Sequence, residues 1–343
     1  MEVLSLSKSN KKNILSLLAG IATDEGKLDL HDIHKKTIHA IGHHLLGIDE
    51  SDDILSNTFS VSESFTSKDV QSEILHLAGP LVFLEEAHQL QRSMAMERLA
   101  KKWKLKDKLV KTIIKTAEGK KLAILMCEVR PTEVEVGASS LKQAYGYLMG
   151  KLGLDHNKKL YDMYKGYESL PENSLGKTLS TYYKQNQFLI PGEGGAPLVD
   201  ILVIHDFHHV LSGYDTTPLG ELCVLAFDNG ISKNDYAGIL TGVTAQFQIG
   251  VTIDTTTNTW VNQFDPEAIY RAYRRGLDCN TNYIDNKYDF NLIADQSLSE
   301  IREKFNISEE GMFINSSKDK WCGKYGPPAL RKNKNIVKEG KAL

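Results

Sequence analysis

The chain has 343 residues, with a hydrophobic fraction of 41% and a charged fraction of 25%. These values are typical of a globular protein and exclude a collagenous, low-complexity or wholly disordered chain. The net charge of −3 is too close to zero for a dedicated nucleic-acid binder, and the length predicts roughly two domains of about 150 residues each.

The cysteines and the N-terminus indicate a cellular compartment. Cys127, Cys223, Cys279 and Cys322 form no Cys-x-x-Cys pair, which favours a reducing environment. The first residues lack the apolar segment of a secretion signal, and no apolar run reaches the roughly 18 residues that a membrane span needs. We therefore expect a cytoplasmic protein, with peripheral association at a membrane as the alternative.

Helical periodicity dominates the N-terminal third, and β-branched alternation is scarce throughout. Pro80 predicts a kink or a break within one of the helices. We predict an all-α protein, a helical bundle whose residues 1–130 form an additional N-terminal helical domain. The predicted helical segments in that domain are residues 13–20, 29–46, 67–90 and 94–117.

Residues 98–121 carry ten lysines and arginines against two acids, Asp107 and Glu118. Apolar residues are interleaved with them at helical spacing. This pattern is typical of the solvated outer face of a packed helix, and it also fits a basic helix that binds a membrane surface or a partner.

Residues 130–140 interrupt the helical pattern and mark a domain boundary. We predict a second domain over residues 131–315, followed by a basic, disordered tail over residues 316–343. The tail is interpreted either as solubilising or as attracted to anionic lipid head groups.

The segment from Leu198 to Ser212 combines apolar residues around nearly its whole circumference with several polar side chains. A helix of this kind is buried, and burying so many polar groups is costly unless each has a partner, such as a metal ion. His205 and His209 lie one turn apart on one face, and the carboxylate of Asp206 can reach the same edge.

A second helix is predicted to begin with Thr217 as N-cap and Pro218 as its first residue, which places Glu221 one turn into it. A tight turn before Thr217 would fold this helix back toward the histidine pair. Two imidazoles with one or two carboxylates suit Zn²⁺, and Fe²⁺, Mn²⁺ or Co²⁺ less selectively. A buried polar network without metal is the alternative.

Two rival motifs fit less well. A His-Glu-x-x-His peptidase needs a glutamate where Asp206 stands. A His-Asp phosphohydrolase needs a further histidine and aspartate, for which His156 and Asp228 are the candidates.

The pattern His205-Asp206-x-x-His209, followed after eleven residues by Glu221, resembles the metal motif of the coenzyme Q (ubiquinone) biosynthesis protein four family. The resemblance extends over residues 141–307. It includes Pro-Glu-Asn-Ser-Leu-Gly at residues 171–176, Ala-Tyr-Arg-Arg-Gly at 272–276, and residues 298–307. The N-terminal third more distantly resembles tellurite-resistance TerB-like bundles.

The resemblance implies an all-helical fold with a deep apolar pocket for an isoprenoid tail and a divalent metal near its mouth. It implies His205, Asp206, His209 and Glu221 as metal ligands. It further implies ubiquinone biosynthesis as the setting. There, members of the family organise a membrane-peripheral complex with other quinone-biosynthesis proteins, or remove the C1 carboxylate of the head group and install a hydroxyl.

Two further groups of residues carry side chains that could bind a ligand. Arg271, Arg274 and Arg275 follow the start of a helix at Pro266, and Arg271 and Arg275 share a face that could clamp a phosphate or carboxylate head group. A solvated basic face is the alternative. A second group, His31, His34, His39, His43 and His44, is predicted to lie on helix surfaces.

Three functional hypotheses result. The first is a metal-dependent enzyme that decarboxylates or hydroxylates the head group of a prenylated quinone precursor. The second is a non-catalytic organiser that binds a prenyl lipid. The third is a His-Asp type metal hydrolase. Under all three hypotheses, we expect no nucleic acid as a partner.

Overall fold

The computed structural model describes residues 1–49, 65–120, 156–194, 199–251, 259–284, 288–314 and 320–321. Within these ranges the chain is helical and forms no sheet, which confirms the predicted all-α class. No helix among the described residues is long and apolar enough to cross a membrane. The predicted boundary at residues 130–140 lies outside the described ranges, and so does the tail, apart from residues 320 and 321.

Twelve helices are described, and we number them in chain order. Short 3-10 turns precede or join several of them, and a π-helical turn over Ile41–Leu46 extends the second. The helices are α1 Lys8–Ala22, α2 Asp32–Ala40, α3 Lys68–Ala78, α4 Gln89–Lys102, α5 Lys108–Ala117, α6 Lys158–Gly166, α7 Leu175–Asn186, α8 Val199–Ser212, α9 Pro218–Ile231, α10 Ala237–Gln248, α11 Pro266–Asp278 and α12 Leu298–Phe305.

The chain forms two compact units, and neither is continuous in sequence. The first unit joins Met1–Pro131 to Leu225–Leu277, and the second joins Thr132–Val224 to Asp278–Leu343. Helix α9 contributes its first half to the second unit and its second half to the first. The predicted domains 1–130, 131–315 and 316–343 follow chain order and stay a prediction.

The first unit contains α1 to α5, the second half of α9, α10 and α11. Its helices come unusually close where small residues allow it. A Cβ at Gly79 would lie 2.4 Å from Thr241 Oγ1, and a Cβ at Gly276 would lie 2.0 Å from the carbonyl oxygen of Phe227. Near Gly79, the small side chain of Thr241 therefore allows α10 to pack closely against the end of α3.

Two buried polar side chains in the first unit contact backbone carbonyl oxygens. Arg92 is fully buried and donates to the carbonyl oxygens of Ala22 and Ala87 and to Glu85. His34 is also fully buried, and its Nε2 lies 3.0 Å from the carbonyl oxygen of Leu81. The prediction that His34 lies on a helix surface is wrong, because α2 turns this position toward the Pro80–Phe83 turn.

Pro80 interrupts the helical pattern as predicted. Helix α3 ends at Ala78, and the chain continues as a 3-10 turn over Pro80–Phe83. Because proline lacks an amide hydrogen, the α-helical hydrogen bonding cannot continue through it.

The second unit contains α6 to α8, the first half of α9, and α12. Helix α7 begins at Leu175 with Ser174 as N-cap, and Ser174 Oγ accepts from the amide of Lys177. The start of α7 is fixed by the segment before α12, since the amide of Gly176 donates to the carbonyl oxygen of Ala294 at 2.7 Å. This anchor holds α7 against α8, the helix that carries the histidines.

Candidate metal centre

Helix α8 presents His205 and His209 from one face, as their spacing predicts. The two ring centroids lie 4.7 Å apart, and the Nε2 atoms are separated by 3.1 Å. Nitrogen atoms in contact at this distance cannot both carry a proton toward each other. At most one of the two atoms can donate to the other, and a third group can contact both.

Glu221 supplies that group from α9. Its Oε2 lies 3.0 Å from His205 Nε2, and its Oε1 lies 3.3 Å from His209 Nε2. Ligands at about 2.1 Å around a tetrahedral zinc are separated from each other by about 3.4 Å. The two imidazole nitrogens and the carboxylate oxygens are spaced close to this value, and among the described residues these three side chains form a group that could hold a metal ion.

A short loop turns the chain from α8 to α9. Gly213 ends α8 with a φ of +75°, a conformation that favours glycine. Thr217 caps α9 by accepting from the amide of Gly220 at 3.0 Å, while Asp215 Oδ1 accepts from the hydroxyl and the amide of Thr217. The prediction of Thr217 as N-cap is confirmed, and this loop brings Glu221 back to the histidines.

The C-terminal end of α8 is also secured by a buried cation. Arg302 of α12 is 2% exposed and donates to the carbonyl oxygens of Leu211 and Val210. A positive charge at the C-terminus of a helix stabilises it through the helix dipole. Arg302 therefore fixes the turn of α8 that directly follows His209.

His209 is oriented by its second ring nitrogen. Nδ1 lies 3.0 Å from the carbonyl oxygen of Tyr214, so Nδ1 carries the proton and donates it. Nε2 then points toward Glu221 and His205. This backbone contact is the arrangement by which metal-ligating histidines are held in one tautomer.

Burial and charge act against each other at this centre. Burial disfavours a charged imidazole at His209, but the carboxylate of Glu221 outweighs it and raises the pKa of His209 to about 9. Burial alone would raise the pKa of Glu221, whereas the two histidines hold it well below its usual value. Glu221 is therefore ionised, and the charge on His209 compensates it.

The centre is buried on one side and open on the other. The side chain of His209 is fully buried, whereas those of His205 and Glu221 are 30% and 25% exposed. An ion held by these three side chains would keep a coordination position for water or a ligand, which distinguishes catalytic from purely structural zinc sites.

Asp206, the fourth predicted ligand, lies outside this group. Its Oδ1 accepts from the hydroxyl of Tyr182 at 2.9 Å, and its Oδ2 accepts from that of Tyr183 at 2.5 Å. The reason is rotation, because consecutive residues of a helix point about 100° apart. Burial raises the pKa of Asp206, and burial beside this carboxylate also raises the pKa of both tyrosines.

Tyr182 links this cluster to the metal ligands. Its ring stacks on that of His209 with centroids 5.7 Å apart, and Trp321 packs edge-on against Tyr182 with centroids 5.4 Å apart. Sequence reasoning missed Tyr182 and Tyr183. Their adjacency on α7 carried no signal that they face Asp206 on another helix.

The three arginines of the predicted head-group site lie on α11, in the first unit, whereas the metal ligands lie in the second. Arg271 donates to Glu267 one turn away at 2.8 Å. Arg275 is buried, with its guanidinium 5.3 Å from the ring centroid of Phe227. The assignment of Arg271, Arg274 and Arg275 to a head group stays a prediction.

Comparisons with known proteins add no assignment: no family model, no curated protein and no solved structure matches this chain.

Proposed function

We propose that the chain binds a divalent metal ion through His205, His209 and Glu221 and acts on the head group of a prenylated aromatic lipid. The observation that carries the metal site is that three side chains from two helices converge. The two Nε2 atoms lie 3.1 Å apart, and each lies 3.0 or 3.3 Å from one carboxylate oxygen of Glu221. The lipid substrate rests on the sequence resemblance over residues 141–307. An apolar pocket for the isoprenoid tail is part of this proposal.

Zinc is the metal that the donor set favours, because two imidazoles and one carboxylate are a common catalytic zinc set. Iron, manganese and cobalt accept the same ligands. When bound, such an ion supplies Lewis acidity to a carboxylate or phenolate oxygen of the head group. The metal identity separates the mechanisms, because zinc undergoes no redox chemistry and a hydroxylation needs a redox step.

The chain's own residues position the ligands. Tyr214 holds His209 through its carbonyl oxygen, and Tyr182 stacks on the same ring. Asp206 is satisfied by two tyrosine hydroxyls and stays off the centre, so the open side is left to a substrate oxygen. Removing Glu221 would leave two close imidazoles without a counter-charge.

Elemental analysis of the purified chain tests the metal site. We expect a stoichiometric divalent ion in the native protein, its loss in Glu221→Gln, and its retention in the control His156→Gln, which changes an exposed histidine outside the centre. Absence of metal from protein purified in metal-supplemented buffer, or equal retention in Glu221→Gln, contradicts the proposal.

Turnover separates the enzyme from the organiser. A carboxylated prenyl-phenol incubated with the metal-loaded protein should lose its carboxylate, and Glu221→Gln should abolish that loss. Co-purification of prenyl lipid without turnover would favour the non-catalytic organiser, while phosphate release from prenyl phosphates would favour the hydrolase.

A further inference from the structure

The turn between α4 and α5 carries a dense group of lysines. Residues 101–115 contain seven lysines and one acid, and all seven lysines are exposed. We call this group the lysine turn. It comprises Lys101, Lys102, Lys104, Lys106, Lys108, Lys111 and Lys115.

The acids near the lysine turn do not neutralise it. The side chain of Asp107 is 6% exposed, caps α5 at Val110, and also accepts from Ser72 and contacts His76. Glu97 pairs with Lys101. Within the described residues, Lys104, Lys106, Lys111 and Lys115 have no acidic partner, so their charges face solvent.

The backbone beneath the lysines is firmly held. Trp103 is 6% exposed, its ring packs edge-on against Phe65, and its carbonyl oxygen accepts from Lys68. Lys104 adopts a left-handed conformation that ends α4, and the Asp107 cap begins α5. The lysines therefore project from a fixed base, and Lys108, Lys111 and Lys115 share the outer face of α5.

Apolar side chains accompany the charges. Leu105 is half-buried at the tip of the turn between two lysines. Leu90 and Met94 are 45% and 37% exposed on α4, on the helical line that leads to Lys101. Basic charge with scattered exposed apolar groups is the pattern of surfaces that rest in the interface of a bilayer.

We propose that the lysine turn docks the protein on a bilayer that contains anionic phospholipid. The charge consists of lysines, whose mobile, strongly hydrated ammonium groups suit a fluid plane of charge, whereas directed recognition of nucleic-acid phosphate favours the planar fork of arginine. The proposal uses residues of the first unit alone, so it stands or falls independently of the metal centre.

The test is co-sedimentation of the full chain with vesicles. Vesicles of phosphatidylcholine and phosphatidylglycerol, two parts to one, should bind the protein, and phosphatidylcholine alone should not. The triple variant Lys104→Gln/Lys106→Gln/Lys111→Gln should bind about a hundredfold more weakly, because each lysine at an anionic surface strengthens binding about fivefold. High salt should release the native protein.

The control variant Lys35→Gln/Lys36→Gln/Lys159→Gln removes the same charge from exposed positions elsewhere and should bind as the native protein does. No binding to the anionic vesicles, or equal losses in the two triple variants, overturns the proposal. Binding of double-stranded DNA or RNA without binding of vesicles overturns it as well. Circular dichroism confirms that each variant is folded.

Discussion

Asp206 and Glu221 are carboxylates near the same two histidines, yet their partners differ. Glu221 contacts two imidazoles, and Asp206 accepts hydrogen bonds from two tyrosine hydroxyls. A carboxylate that contacts two imidazoles can share a metal ion with them, whereas one bonded to hydroxyl donors already has its partners. The two side chains should therefore respond differently to substitution.

We expect Asp206→Ala to retain zinc and lose stability, and Glu221→Gln to lose zinc. Each tyrosine hydroxyl left without its acceptor should cost about 1–3 kcal/mol of unfolding free energy. Zinc binding is measured by isothermal titration calorimetry and stability by urea unfolding. If Asp206→Ala loses zinc as completely as Glu221→Gln does, then Asp206 is a ligand and the metal-bound centre differs from the geometry described above.

His34 gives the protein a pH-dependent stability. Burial lowers its pKa to about 4, and the nearby guanidinium of Arg92 contributes in the same direction, against Glu85. In the unfolded chain the pKa is near 6.5, so between pH 6.5 and pH 4 the unfolded chain binds the proton that the folded chain does not. The stability is present above pH 6.5 and is lost as the pH falls toward 4.

Replacement of His34 should remove this dependence. The amide of His34→Gln can still donate to Leu81 but does not titrate, so its unfolding free energy should fall about 3 kcal/mol less than that of the native protein between pH 6.5 and pH 4. Urea unfolding across this range measures the difference. His39→Gln, an exposed position on the same helix, is the control, and equal slopes in all three proteins would refute the assignment to His34.

At the scale of elements, the loop between α8 and α9 fixes the centre. Gly213 has a φ of +75°, and a Cβ there would lie 2.6 Å from the carbonyl oxygen of Ile314. Gly47 has a similar φ of +65°, but a Cβ there would meet nothing within 4 Å. Alanine substitutions at Gly47 and Gly213 therefore separate the stability lost through the left-handed backbone from the stability lost through the collision.

We expect Gly47→Ala to lose about 1–2 kcal/mol of stability from its left-handed backbone alone. Gly213→Ala should lose more, because the segment at Ile314 must move. It should also weaken zinc binding about 10- to 100-fold, because the adjacent Tyr214 carbonyl that orients His209 shifts with it. Isothermal titration calorimetry measures the zinc affinity of both variants. An unchanged zinc affinity in Gly213→Ala would show that the Tyr214 contact is not needed to orient His209.

Local signals in the sequence predicted the elements well. Thr217 and Pro218 act within one turn of chain, and the histidine pair depends on the geometry of one helix. Helices α8 and α9 and the proximity of His205, His209 and Glu221 could therefore be predicted from local spacing. The contacts between Asp206 and the tyrosines of α7 depend on how two helices pack, which no local pattern encodes. The burial of His34 depends on packing in the same way.

At the scale of the whole molecule, each of the two compact units combines segments that are distant in the sequence. Residues Leu225–Leu277 belong with the N-terminal residues, although periodicity alone gave no reason to group them. Gly230 and Gly276 show the physical basis, since a Cβ at either would collide with the backbone of the opposite helix. All three proposed metal ligands lie in the second unit, so metal binding should stabilise that unit most.

Zinc should therefore raise the stability of the protein in a localised manner. At a free concentration a thousandfold above Kd, binding to the folded state alone contributes about 4 kcal/mol. Hydrogen exchange measured by mass spectrometry should show added protection in peptides from residues 203–224, and much less in peptides from α1 and α2. A chelator should reverse the protection, and Glu221→Gln should show none. Equal protection in Glu221→Gln would place the bound zinc elsewhere, and so would protection confined to the N-terminal helices. The reason is that a bound ion stabilises first the helices that carry its ligands.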